Sequence, residues 1–305
     1  MEKNPLVSII LGSYNGQAYL ADQLTSIANQ TYNNIEVICS DNNSSDNSYL
    51  ILKKWCSESI GRQLVNNPIV GINKNYFSAI NYTSGKYVIF SDQDDIWDKD
   101  KISKLVKFYE SNQGFSMVYC LSEKFQDNIF TVTKKKWINR LEGQEIKKSL
   151  LISHTLGHNI IIKRETLLKI PIPQNEMVAF DWWITISAMC IGPIKCFPEY
   201  LTFWRQHQTN TTKKINQDLF YISRIKYLSA FLDNPLISSE NKVWIKKAKI
   251  LFKKLESNRF SIQLFLFIFL NSKYIFFYKT KKNKVLKWIS FFKWSIRLSS
   301  NKTKP

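Results

Sequence analysis

Three carboxylates within four positions, Asp92, Asp94 and Asp95, follow directly on the apolar run Tyr87-Val88-Ile89-Phe90. Carboxylates packed that closely repel, and each raises its neighbours' pKa unless a cation neutralises them. Asp92 and Asp94 lie two positions apart, so from an extended strand end both side chains can point the same way. Hard oxygen ligands on a short loop suit Mg²⁺ or Mn²⁺, which keep several waters and complete their shell from a substrate phosphate. The other reading is a solvated acidic turn that caps the next helix, although the Ile96-Trp97 pair that follows is unusual for a plain turn.

Such a loop needs a rigid strand behind it, and residues 87–90 have the length and β-branched content of a buried one. The same pattern recurs upstream. Residues 6–11 form an apolar run that stops at Gly12-Ser13-Tyr14-Asn15-Gly16, and Leu20, Leu24, Ile27 and Ala28 then recur at helical spacing. A second strand over residues 35–39 ends in Ser40-Asp41-Asn42-Asn43, and Leu64-Val65 reads as a short third. Downstream, helices over residues 99–110 and from Asp181 to Cys190 alternate with strands at 117–120, 160–162 and 201–204. Strand and helix alternating with short connections predict an α/β fold around a mainly parallel sheet. Ligands of such sheets bind beyond the carboxyl ends of the strands. Ser13-Tyr14-Asn15, Asp41-Asn42, the 73–75 stretch and the acidic loop therefore belong to one rim. Residues 123–148, with Lys134-Lys135-Lys136 in their midst, read as a loop over that rim.

The charge is unevenly distributed. Of a net +19, residues 213–305 hold 21 Lys and Arg against 4 Asp and Glu, a net of +17, whereas residues 1–212 hold 22 against 20. Two domains follow as an expectation: a near-neutral α/β domain over 1–212 and a basic, helical appendage over 213–305. An apolar content of 44% excludes a disordered chain. Five scattered cysteines without a Cys-x-x-Cys pair exclude a zinc ribbon or a disulfide framework and fit a reducing compartment. Met1-Glu2-Lys3-Asn4-Pro5 shows no basic-then-apolar signal, and the protein is read as cytoplasmic.

In order and spacing, Val7-Ser8-Ile9-Ile10 with Ser13-Tyr14-Asn15-Gly16, Gln30-Thr31-Tyr32, the Asp41 to Asp46 stretch, Gly85-Lys86-Tyr87 and Ser91-Asp92-Gln93-Asp94-Asp95-Ile96-Trp97 resemble the family-2 glycosyltransferases of GT-A fold. The Asp-Gln-Asp-Asp-Ile-Trp form, with the later Asp181-Trp182-Trp183 and Trp204-Arg205-Gln206-His207, is most similar to the rhamnosyltransferase-like branch. The resemblance covers roughly residues 5–212. It implies a nucleotide-sugar donor, a divalent cation (Mg²⁺ or Mn²⁺) and inversion at the anomeric carbon. Residue by residue, it places Ser13 and Tyr14 at the nucleotide base, and Asp41 and Asn42 at base and ribose. Asn75, from its place in the Asn-rich stretch on the same rim, is added to the nucleotide set as an expectation. Asp94 is implied as direct metal ligand, and Asp92 as a metal or ribose contact. Arg205 can pair with diphosphate, His207 can complete the metal shell, and His158 stands at an acceptor-side turn. Asp181 falls where the family has its catalytic base, which a sugar hydroxyl needs to become a nucleophile. Its other reading is a helix N-cap. Trp182 and Trp183 can stack on a sugar or fill the core. Rhamnose is the implied sugar, with galactose or glucose as runners-up. A catalytically silent glycan- or lipid-binding module is the alternative of another class.

In the appendage, residues 260–270 are strongly apolar but shorter than the roughly 20 residues a membrane span needs. Aromatics interleave with Lys and Arg from there to Leu298, a composition that favours an anionic membrane surface. No nucleic-acid motif accompanies it. The expectation is peripheral attachment to the inner face of the cell membrane, where a glycan or lipid-linked acceptor would be met. A helical hairpin folded on its own aromatics is the competing reading.

Overall fold

A computed structural model of the chain describes residues 4–67, 70–126, 139–174, 176–207, 220–279 and 284–300. Two compact units emerge, Met1–Lys134 with Thr155–Gln206, and Lys135–His154 with His207–Pro305. The segment Lys135–His154 thus groups with the C-terminal helices, so one cut at residue 212 does not separate the units. That position, like the Lys134-Lys135-Lys136 trio, lies outside the described residues.

The first unit is built on an eight-stranded sheet in the order β3-β2-β1-β4-β7-β6-β8-β5. Its strands are β1 (Val7–Ser13), β2 (Ile35–Asp41), β3 (Arg62–Asn66), β4 (Tyr87–Asp92), β5 (Ile96–Trp97), β6 (Met117–Phe125), β7 (Ile160–Lys163) and β8 (Ile194–Arg205). β1 is buried along its whole length because it runs parallel between β2 and β4, with both faces covered. Alternation sorts the side chains. Val7, Ile9, Leu11, Val37, Cys39, Tyr87 and Ile89 share a core with Leu20, Leu24 and Ile27 of α1 (Leu20–Ala28) and with Ile102, Leu105 and Tyr109 of α4 (Lys101–Ser111). On the opposite face, Phe90 meets Tyr76 of α3 (Ile72–Ile80) and Phe180 of α6 (Phe180–Ile191). Two further helices, α2 (Ser48–Ser57) and the short α5 (Arg164–Leu167), complete this unit.

Register decides what shares the rim. Gly12 pairs with Asp92, and Ser13 with Asp41, so β1 ends level with both neighbours. β7 runs antiparallel to β4, with Ile161 opposite Ile89. Its beginning therefore lies where β4 ends, and the short 3-10 turn Gly157–Asn159 arrives beside Asp92. β6 and β8 run parallel, and Arg205 pairs with Phe125 at their far end.

The second unit is helical: α7 (Phe220–Leu232), α8 (Ser239–Lys253), α9 (Ile262–Leu270), α10 (Ser272–Ile275) and α11 (Lys284–Leu298). α9 and α11 interlock through aromatic rings, Phe265 against Phe292 and Phe269 against Trp288, and Phe260 bridges to Ser300. Much of the aromatic content is therefore spent on a hairpin. Ile262, Leu266, Leu270, Leu286, Trp288 and Ile289 nevertheless remain exposed. Among the described residues, no helix is long and apolar enough to cross a membrane.

Candidate active site

The rim is held together by side chains that fasten one strand-end loop to the next. The Gln93 side chain does this for β1: its Oε1 accepts from Tyr14 N (2.7 Å) and from the Ser13 hydroxyl (3.1 Å), and its Nε2 donates to Tyr14 O (3.0 Å). The acidic loop and the Ser13-Tyr14 turn are thereby clamped, leaving the Tyr14 ring half exposed. Asn15, at φ 50°, accepts from Ser45 N and donates its own N–H to Ser44 Oγ, which ties the same turn to the end of β2. Gly12 is required for close approach, since a Cβ there would come within 2.6 Å of the Tyr76 ring.

Tyr76 and His158 converge on Asp92. The phenol, kept protonated by burial and by Asp92, donates to Asp92 Oδ1 at 2.6 Å. His158 Nδ1 lies 3.1 Å from Asp92 Oδ2 and 2.7 Å from Asp95 Oδ2. Burial disfavours a charge on His158, yet the carboxylates of Asp95 and Asp92 push it up to about 10. The imidazolium thus offsets one of the two negative charges. Burial likewise pushes Asp92 up, but the hydrogen bond and charge of His158, with help from Tyr76 and Lys101, hold its carboxyl below the usual range. Asp92, Asp95 and His158 offer ligand atoms within 4.8 Å of one another. Oxygen and imidazole donors of this kind fit a divalent cation, and the buried His158 Nε2, which has no hydrogen-bond partner, shows that the ring's hydrogen-bonding capacity is not used up by the fold. To act as a ligand, the ring must first shed its proton.

Asp181 stands in the first turn of α6. Ala179 is the N-cap residue, so Asp181 does not serve as cap. Its Oδ2 accepts from Gly157 N (3.0 Å) and its Oδ1 from Trp182 N (2.7 Å). Burial is the main reason its pKa rises to about 6, with Asp92 adding to the rise and the Trp182 and Gly157 amides and His158 opposing it. A carboxylate with that value is ionised near neutrality and basic enough to accept a proton. Gly157 thus holds Asp181 while the next residue, His158, holds Asp92 and Asp95. Asp181 and the acidic cluster are held by one turn.

Other residues singled out by sequence fall around this centre with differing freedom. Asp41 accepts from Ser44 N and Ser44 Oγ, and Asn42 Oδ1 accepts from Gly71 N. Both are buried at the end of β2. Asn75 bonds both ways with Ser40, so in this structure it braces α3 against β2. Arg205 reaches the acidic loop, its Nε donating to Asp94 O (3.1 Å) and its Nη2 pairing with Asp22 (2.7 Å). Trp182 and Trp183 are both buried, and Trp183 Nε1 donates to Pro171 O. These indoles pack the core rather than offering a face to sugar. Glu176 caps α3 through Asn73 N. His154 meets Phe277 edge-on and Tyr278 at a tilt within the second unit. The sequence reading gave Asp94, Asp92 and His207 to the metal; the clustered group contains Asp92 with Asp95 and His158 as partners, and His207 is counted with the second unit. The contact of His158 with Asp92 and Asp95 was missed, as was the burial of Lys101. The sequence carries one clue to the last: Lys101 lies on the apolar stripe of Leu105 and Tyr109, where a lysine is out of place.

The sequence profile of Glycosyl transferase family 2 matches residues 8–170, more than half of the chain. The chain belongs to this family. A Campylobacter jejuni relative described as a GalNAc(5)-diNAcBac-PP-undecaprenol β-1,3-glucosyltransferase is 26% identical over 82% of this chain and 81% of its own length. An Escherichia coli UDP-Glc:α-D-GlcNAc-diphosphoundecaprenol β-1,3-glucosyltransferase, WfgD, is 32% identical over 40% of this chain and 48% of its own. Among solved structures, S. aureus TarS residues 1–349 with UDP-GlcNAc superposes with a TM-score of 0.61 at 16% identity, covering 96% of this chain and 81% of that one. This family-2 glycosyltransferase therefore has the α/β GT-A fold, and it is a transferase.

Proposed function

We propose that the chain transfers a hexosyl unit, with inversion, from a nucleoside-diphosphate sugar to a hydroxyl of a glycan carried on a polyprenyl diphosphate. The observation that carries this reading is Asp181, a single carboxylate raised to about 6 and fixed on the same turn as the Asp92–Asp95–His158 group. Asp181 takes the proton from the acceptor hydroxyl as the new bond forms. Ser13, Tyr14, Asp41 and Asn42 face the nucleotide, with Asn75 supporting them from behind. Arg205 pairs with the diphosphate. Asp92 and Asp94, together with Asp95 and His158, would hold Mg²⁺ or Mn²⁺; a bound cation neutralises charge on the departing diphosphate. The lipid-linked acceptor is supported by the described activities of the relatives. These also favour glucose over the rhamnose implied by the Asp-Gln-Asp-Asp-Ile-Trp form.

A panel of UDP- and dTDP-hexoses with Mn²⁺ is expected to show nucleotide release from one donor, accelerated by a polyprenyl-diphosphate GlcNAc acceptor. Release from none would leave a silent binding module.

The second unit, in this reading, attaches the enzyme peripherally to the anionic inner face of the cell membrane. Exposed Leu266, Leu270, Trp288 and Ile289 provide a salt-insensitive apolar contact, and the surrounding lysines add about 1 kcal/mol each near an anionic leaflet. The full-length protein should co-sediment with phosphatidylglycerol vesicles at low salt and be only partly released at high salt. Recovery wholly in the supernatant at low salt would make these helices purely structural.

A further inference from the structure

We propose that Lys101 is a positioning residue whose ammonium locks the metal-binding acids and the Asp181 base into one arrangement. This inference rests on the reading of Asp181 and the acidic group just given. Lys101 is the first residue of α4 and is fully buried. Its Nζ donates to His158 O at 2.7 Å and to Thr202 Oγ1 at 2.9 Å, and lies 3.7 Å from the centre of the Trp97 ring. Burying an ammonium is costly, and a methionine would fill the stripe shared with Leu105 and Tyr109 without that cost. The charge therefore calls for a reason beyond packing.

The three partners supply one, because each belongs to a different segment of the site. Trp97 closes the loop that carries Asp92, Asp94 and Asp95. His158 presents its ring to Asp92 and Asp95, and its neighbour Gly157 holds Asp181. Thr202 lies on β8 three residues before Arg205, whose backbone N–H donates to Asp95 Oδ1 at 3.3 Å. These segments are far apart in sequence, and β5, the strand that joins the acidic loop to β8, is only two residues long. A single ammonium spanning all three fixes the acid–imidazole spacing where the sheet alone holds it weakly. Lys101 touches no substrate in this scheme. It acts through the His158 carbonyl.

The test uses full-length Lys101→Met and Thr202→Val, with Ile102→Val as a control that trims the same helix on its core side. Thermal melting establishes the fold. Mn²⁺ binding without nucleotide is followed by electron paramagnetic resonance, and turnover is measured at saturating donor. Loss of an outer-shell partner typically lowers metal affinity or activity roughly 10- to 100-fold. Lys101→Met should weaken Mn²⁺ binding and lower turnover in that range, Thr202→Val should do the same by a smaller factor, and Ile102→Val should change neither. A folded Lys101→Met protein with wild-type Mn²⁺ affinity overturns the proposal, as does a wild type that binds no Mn²⁺. If Lys101→Met does not fold, unchanged Mn²⁺ affinity in Thr202→Val overturns it. A wild type that binds Mn²⁺ but cleaves no donor refutes glycosyl transfer, while the Mn²⁺ titration still judges the role of Lys101.

Discussion

Asp181→Asn is expected to lower turnover on acceptor by about 10²- to 10⁴-fold while leaving donor affinity in place, the loss typical of a missing general base. Asparagine keeps the shape of the side chain and one oxygen for the Gly157 or Trp182 amide, but it cannot accept a proton. The wild-type pH profile carries a second signature. Because the Asp181 pKa is raised to about 6, the base is lost as pH falls through that value, and turnover should decline on the same limb. Stability moves in the opposite sense. An acid whose folded pKa exceeds its unfolded value binds more protons when folded, so its ionisation destabilises the fold as pH rises from about 4 to about 6. Asp181→Asn removes that ionisation but sets its amide nitrogen against one of the two backbone N–H donors; the two effects oppose each other, and the melting temperature at neutral pH should stay close to wild type. An inactive variant that stays folded, with a melting temperature close to wild type, separates catalysis from folding. Near-wild-type turnover would pass the role to another acid; Glu176, already engaged at the N-terminus of α3, is poorly placed to take it.

The strands that carry this site were visible in sequence because their burial leaves a plain mark. Residues 87–90 are uniformly apolar, and β4 is buried from Tyr87 to Ser91 before Asp92 emerges. β1 is buried throughout and β2 from Val37 onward, so the convergence of Ser13, Asp41 and Asp92 on one rim followed from the alternation of strands and helices. Pairing across the sheet left no such mark. Nothing local says that β7 inserts antiparallel between β4 and β6, and that insertion is what brings His158 and Gly157 to Asp92 and Asp181. β5 is two residues long, too short for any periodicity, and exists only because Phe203 and Thr202 stand opposite it. Asn75 shows what spacing leaves out: a polar residue in an Asn-rich stretch near the rim reads as a ligand group, and helix α3 turns its side chain onto Ser40. Alternating aromatics and lysines in the second unit were ambiguous for a similar reason, since interlocking rings and exposed apolar side chains share one sequence signature.

Asp94→Ala is expected to reduce turnover by roughly 10³-fold or more, since a bound cation supplies several kcal/mol of charge stabilisation and each 1.36 kcal/mol is a factor of ten. The acidic loop explains why the effect should be confined to function. On one side of Asp94, Gln93 is clamped to Ser13 and Tyr14 by three hydrogen bonds; on the other, Asp95 is fully buried against His158. The Asp94 backbone carbonyl is held by Arg205, a contact that alanine retains. The loop should therefore keep its course, and the melting temperature should change little. Nucleotide binding by calorimetry provides the deciding comparison. With Mn²⁺ present, wild type should bind nucleotide more tightly than Asp94→Ala. With excess chelator the two should bind alike, because the carboxylate then has no cation through which to reach the diphosphate. Asp95→Ala should behave differently: it removes a carboxylate from a buried imidazolium, so a drop in melting temperature should accompany its loss of activity. Wild-type turnover that survives excess chelator would remove the cation from the reaction and leave Asp92 and Asp95 with a purely structural role beside His158, Tyr76 and Arg205.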